Sequence, residues 1–222
     1  MSALVARGLA AAAVAGLLFA LSPLTVVLGL VIAALIGWAC AARDPLERRW
    51  LVALLVGAVF VRAAAIAYLA LTTDLARESF HTTFGDGQYA LERSLWIRNT
   101  LLGIGVAPLD YAEAFKEYGR SGYHYPLAWL QVAFGPSPYG IHVLSVALYV
   151  GGAIVLFREA RSSFGAATAF LGLALILCLP TLLLWSISPL KESLFFSLSS
   201  VVVVAARRGI GALQRRQQIG RA

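Results

Sequence analysis

The sequence predicts an all-α fold: a polytopic helical membrane protein with about six transmembrane helices. It also predicts a 65-residue outer loop, Asp74–Pro138, containing interfacial helices. Three observations carry that expectation. Of the 222 residues, 60% are hydrophobic and 13% are charged, with a mean hydropathy of +0.80. That is too little charge to cover a soluble domain of this length. Several uncharged runs are long enough to cross the ~30 Å hydrocarbon core of a bilayer. The basic residues collect in short segments between those runs. The net charge of +7 therefore reads as membrane topology rather than as a nucleic-acid stripe.

The first element follows from Gly8–Ala42, which holds no charge. At ~1.5 Å per residue this is ~50 Å of helix, too long for one straight span. Ser22-Pro23 offers a break, so the segment reads as a hairpin of Leu4–Leu21 and Leu24–Ala42. It is too long and too poor in small-residue cleavage signals to be a signal peptide. Trp50–Thr73 is the next span, interrupted once by Arg62. After the outer loop come Tyr139–Phe157, then Phe164–Ser188 with Pro180 inside it, then Leu190–Ala206 with Lys191-Glu192 at its mouth. Cys40 and Cys178 fall inside apolar runs and read as lipid- or core-facing thiols rather than a disulfide or metal pair.

Charge sets the orientation. One side holds Arg7, Arg43, Arg48, Arg49, Arg158, Arg161, Arg207, Arg208, Arg215, Arg216 and Arg221, against Asp44, Glu47 and Glu159. The other side has six Lys and Arg against eight acids. The first side, with both termini, is expected in the cytoplasm. This divides the chain into a hairpin at 1–42, a transmembrane module at 43–208 that includes the outer loop at 74–138, and a basic tail at 209–222.

The outer loop is no linker. Gln88–Leu102 carries Leu91, Leu95 and Leu102 at helical spacing. Pro108–Tyr118 opens on a proline and sets Tyr111, Phe115 and Tyr118 opposite Glu113, Lys116 and Glu117. Such helices lie in the membrane–water boundary. Tyr123-His124-Tyr125-Pro126 then leads into Leu127–Phe134, too short to span and read as re-entrant or interfacial. The chain shows no internal repeat, which argues against a transporter built from inverted halves.

Four places could carry chemistry. Asp86, in Gly85-Asp86-Gly87-Gln88-Tyr89, sits just beyond a span; its glycines permit unusual backbone angles and close ligand approach. It reads as a general base toward an acceptor hydroxyl or amine, or as a cap of the helix starting near Gln88. Arg62, halfway through a span, reads as a lipid-phosphate contact or cavity ion pair, or as a structural pair or snorkelling residue. Lys191 could hold a phosphate and Glu192 a sugar hydroxyl, or the two could simply flank a span. His124, with Tyr123 and Tyr125, could bond the donor phosphate or stack on a sugar, or serve structure alone. The three histidines lack the spacing of a zinc site, and neither an Asp-any-Asp pair nor a Gly-rich phosphate loop is present.

A span with a buried arginine, then an outer loop with Asp86-Gly87-Gln88-Tyr89 opening a helix, resembles the start of the glycosyltransferase-C superfamily. The protein O-mannosyltransferase and lipid A aminoarabinose transferase relatives are the nearest look-alikes. His124-Tyr125-Pro126-Leu127 and Phe134-Gly135 resemble the family's Tyr-Pro-Pro stretch, with Leu127 in place of its second proline. Arg161–Gly165 is similar to its Arg-any-any-Phe-Gly turn. Leu179-Pro180, Ser186 and Lys191-Glu192-Ser193-Leu194-Phe195 are similar to its "Leu-Pro … Ser … Glu-any-Leu-Phe" segment. The likeness runs from about Trp50 to Arg208.

What the resemblance implies is an inverting, polyprenyl-phosphate-sugar-dependent glycosyltransferase of the bacterial inner membrane, with Asp86 as catalytic base. Tyr89, Arg62, His124, Tyr125, Lys191 and Glu192 are expected as substrate contacts on their own residue chemistry, not as matches to the family's motifs. The sugar arrives as a lipid-linked substrate, so no cofactor is implied; the acceptor is a cell-envelope glycan, lipid or protein. The family's phosphate-holding cation has no firm counterpart, leaving Lys191 and Arg62 as alternatives. Family members usually continue into further spans, and the Leu4–Ala42 hairpin is an addition. The alternative is a non-catalytic module that binds isoprenoid lipid or scaffolds a partner membrane subunit.

Overall fold

The computed structural model describes residues 22–41, 43–73, 85–116 and 122–219, with side chains to 212, and also Val5, Gly8 and Val14. The described residues are helical throughout, with no strand. In order they form α1 (Pro23–Cys40), α2 (Pro45–Thr72), α3 (Gly85–Leu101), α4 (Pro108–Phe115), α5 (His124–Phe134), α6 (Pro138–Phe164), α7 (Ala166–Cys178), α8 (Pro180–Ile187) and α9 (Glu192–Ile219). Five of them open on proline, whose missing N–H costs nothing at a helix start. At α1, Ser22 also accepts a hydrogen bond from the Thr25 amide at 3.3 Å.

Four helices are long and apolar enough to cross a membrane: α1, α2, α6 and the Glu192–Ala212 part of α9. The predicted Phe164–Ser188 span is two helices, α7 and α8, bent by 62° at Leu179. The pair makes a fifth crossing if it counts as one span. Of the predicted Leu4–Leu21 span only Val5, Gly8 and Val14 are among the described residues.

α6 is the hub, packing against α1, α2, α7, α8 and α9. Its buried face is rich in small residues (Gly140, Ser145, Ala147, Gly152, Ala153), which lets neighbouring backbones come close. α1 offers Leu24, Leu28 and Ile32, and α2 offers Leu51, Leu55, Ala58, Arg62 and Ile66, each a single helical stripe. The opposite faces expose Leu30, Phe60, Leu71, Leu198 and Val202. A chain apolar both inside and out is the pattern of a protein solvated by lipid.

One end of the bundle is ionic. Arg161 of α6 grips both Glu47 oxygens of α2 at 2.9 and 3.1 Å. Glu159 pairs with Arg207 and Arg208 of α9. Arg158 lies 4.3 Å over the Trp38 ring. At the other end α3, α4 and α5 form a small layer with its own apolar centre of Ile97, Ala114 and Ala128. This layer joins α6 through Gly135, whose φ of 83° an L side chain rarely adopts. Ser22 and Ser137 hydrogen-bond beside the α5–α6 junction, tying the start of α1 to it.

Candidate functional site

The three-helix layer and the bundle enclose a cavity of about 490 Å³. Asp86, Tyr89 and Ala90 of α3, Glu113 of α4 and adjacent Lys116 line one side. Tyr123, His124, Trp185, Leu190, Lys191 and Glu192 line the rest. Five of the seven predicted site residues therefore meet in one place, from three segments far apart in sequence.

Helical phase explains why. Asp86, Tyr89 and Ala90 are spaced i, i+3, i+4 and share one face of α3. Asp86 is exposed and lies inside the first turn of α3 rather than ahead of it as a cap. An acid there sits favourably at the positive end of the helix dipole. Gly85 and Gly87 are regular helix, so their conformational latitude goes unused; positive φ falls at Gly103, Gly135 and Gly165 instead.

The α4 wall is clipped to α3. The Tyr89 hydroxyl donates to Glu113 Oε2 at 3.4 Å, and Lys116 Nζ donates to both Glu113 oxygens at 3.0 and 3.1 Å. Arg93, only 1% exposed, donates to the carbonyls of Ala114 and Lys116.

The deep wall is polar and under-satisfied. Tyr123 is 8% exposed. Its hydroxyl, Glu192 Oε2 and the adjacent Ser193 Oγ are buried with no hydrogen-bond partner among the described residues. Burial pushes the Tyr123 hydroxyl up to about 12; the Glu192 carboxylate adds to the rise and the Ser145 hydroxyl opposes it. A phenol so placed stays neutral and can still donate. His124 is buried beside it, with ring centroids 6.5 Å apart. Lys191 is exposed at the rim. Buried polar groups lacking partners are unusual in a finished core and ordinary in a site that receives a ligand.

This chain matches no protein-family model, no curated protein and no solved structure.

Two predicted residues lie elsewhere. Tyr125 packs on the Ile97, Ala114 and Ala128 centre, because α5 begins at His124 and turns the next ring away from the cavity. Arg62 is wholly buried between α2, α7 and α8, where its guanidinium meets Ala58 O, Leu177 O and Ser186 Oγ. This is the structural pairing anticipated for it, made with neutral acceptors. Sequence reasoning left out Glu113, Lys116 and Trp185, and named Tyr123 only as a neighbour of His124. The i, i+3 pair Glu113–Lys116 was the available signal, read there only as a solvated face. Among the described residues no group of three or more His, Cys, Asp or Glu could hold a metal ion.

A second hollow of about 1130 Å³ lies at the ionic end, lined by Glu159, Ser162, Arg207 and Arg208. It is larger but chemically spent, since Glu159 is already paired with both arginines.

Proposed function

We propose that this protein is an integral membrane glycosyltransferase that moves a sugar from a polyprenyl-phosphate carrier to a cell-envelope acceptor at the outer face of the bacterial inner membrane. In this reading the chain crosses the membrane six times, with both termini cytoplasmic. The ionic end faces the cytoplasm and the cavity faces outward.

The observation that carries the reading is the convergence of Asp86, His124, Lys191 and Glu192, from three segments far apart in sequence, on one cavity. The cavity lies at the end of the bundle away from the Glu159–Arg207 pair. Trp185 and Leu190 give its wall an apolar flank beside the charged groups, a combination that suits a lipid-borne headgroup.

The chemistry follows from the residues gathered there. Lys116 and Lys191 bring two ammonium groups to hold a phosphate. The Asp86 carboxylate, open to water, accepts the proton of an acceptor hydroxyl as its oxygen bonds to the anomeric carbon. The bond from that carbon to the phosphate oxygen breaks, and the departing phosphate keeps the electron pair beside the lysines. Attack from the face opposite the leaving group inverts the anomeric centre.

The test is binding of farnesyl phosphate to the purified chain in phosphatidylcholine nanodiscs. Saturable binding that weakens in Lys116→Ala or Lys191→Ala supports the reading. Binding that neither substitution alters removes the cavity as the phosphate site.

A further inference from the structure

Pro180 breaks the backbone ladder inside what the sequence reads as one span. Proline has no N–H, so the Ile176 carbonyl loses the donor that a continuous helix would supply four residues on. The bend also draws the next amide away from the Leu177 carbonyl. In lipid such orphans must be satisfied from within the protein. Here the Tyr149 hydroxyl of α6 donates to Ile176 O at 2.7 Å, and Arg62 Nη2 of α2 donates to Leu177 O at 3.0 Å. The Arg62 guanidinium also lies 5.3 Å over the Tyr149 ring, so the two donors brace each other.

The far end of α8 is held by the same neighbours. Arg62 Nε donates to Ser186 Oγ at 2.7 Å. His142 Nδ1 of α6 lies 2.5 Å from Ile187 O; a carbonyl only accepts, so this nitrogen carries the proton. Arg62, His142 and Ser186 are each at most 1% exposed, and Tyr149 is 3% exposed. None of the four lines the cavity, yet α8 carries Trp185 and leads directly to Leu190, Lys191 and Glu192, which do.

We infer that Arg62, acting with Tyr149 and His142, is a positioning residue: it locks the α7–α8 kink and so aims the Trp185–Glu192 wall at the cavity. The fork geometry of a guanidinium suits the task, reaching acceptors on α7 and on α8 at once, which a lysine point charge cannot reproduce. Only the consequence for ligand affinity rests on the proposed function; the clamp itself is a statement about where α8 sits.

The experiment uses the full chain in phosphatidylcholine nanodiscs, with Cys40 and Cys178 replaced by alanine. Spin labels at Leu184→Cys on α8 and Trp129→Cys on α5 report the distance across the cavity. Labels at Leu30→Cys on α1 and Phe164→Cys on α6 report the bundle. Arg62→Met is expected to shift or broaden the first distance and leave the second unchanged, with Arg62→Lys intermediate. Farnesyl phosphate affinity should fall about tenfold in Arg62→Met, since small misplacements of a site are expensive. Where Arg62→Met fails to insert, Ser186→Ala and Tyr149→Phe, each removing one contact, are read in the same way. An unmoved α8 pair in a folded variant overturns the clamp, and so does a matching change in both pairs. A wild type that binds no farnesyl phosphate, while the α8 pair still shifts, leaves the clamp standing and rejects the proposed ligand instead.

Discussion

Arg93 holds the main chain of Lys116: its Nη2 donates to the Lys116 carbonyl at 2.6 Å while its Nε takes the Ala114 carbonyl at 3.0 Å. A cation on the last carbonyls of α4 satisfies groups that the helix end leaves open and complements its dipole. It also sets the Glu113–Lys116 pair at the cavity wall. Hydrogen bonds to a charged group contribute about 1.5–3 kcal/mol each. Arg93→Met should therefore lower thermal stability clearly and weaken phosphate binding beyond what Lys116→Ala alone does. Equal binding in Arg93→Met and wild-type nanodiscs would show that α4 is placed by other means.

Asp86 supplies the proposed base. Asp86→Asn keeps shape and helix while removing proton affinity, so sugar transfer should drop by about 10²–10⁴, the range typical of general base catalysis. Membrane insertion should stay as it is and the melting temperature should change little, because the side chain is exposed and has no hydrogen bond or ion pair among the described residues. Transfer at the wild-type rate excludes Asp86 from the reaction.

Gly152 lets α6 and α9 come close. A Cβ there would come within 3.0 Å of the Phe196 ring and of the Ser197 Cα, and the second is backbone that cannot rotate aside. Gly152→Ala should cost about 1–3 kcal/mol by overpacking. Gly172→Ala on α7, with nothing within 4 Å, should be neutral or stabilising by about 0.4–1 kcal/mol. Detergent melting curves of the two variants should move in opposite directions, or the second not at all.

Tyr123 separates stability from function. Its folded-state value of about 12 lies above the ordinary 10. The folded protein thus favours the neutral phenol; that contribution is complete below pH 10 and disappears as pH climbs through 12. Ultraviolet titration should lose a late-ionising tyrosine in Tyr123→Phe. The same variant should be as stable as wild type or more so, having shed an unsatisfied buried hydroxyl, while ligand binding weakens. A stable variant with undiminished binding would assign the hydroxyl no role at the site.

Four of the long apolar helices were legible because lipid demands long apolar runs, and five helix starts because proline marks them. The Asp86–Tyr89 face could be read from spacing alone. Tyr123 and Tyr125 could not be told apart in that way. Which ring enters the cavity depends on α5 starting at His124, a one-residue matter of phase. Pro180 was visible inside a span read as continuous, but the 62° bend there was not, since the carbonyls it frees are met by Tyr149 and Arg62 from other helices. Arg62 itself read equally as a ligand contact or a structural pair, because cost in lipid was its only readable property. Its partners are main-chain carbonyls and a serine, to which no sequence pattern points. Lys116 was discounted for the opposite reason, since a lysine on a polar helix face looks like one more solvated charge.

The cavity wall is shared among α3, α4, the start of α5 and the link from α8 to α9. No one of these pieces makes the hollow alone, so its outline is a property of how they meet. Loosening any seam between them changes the shape that an incoming molecule encounters, even where every lining side chain is kept.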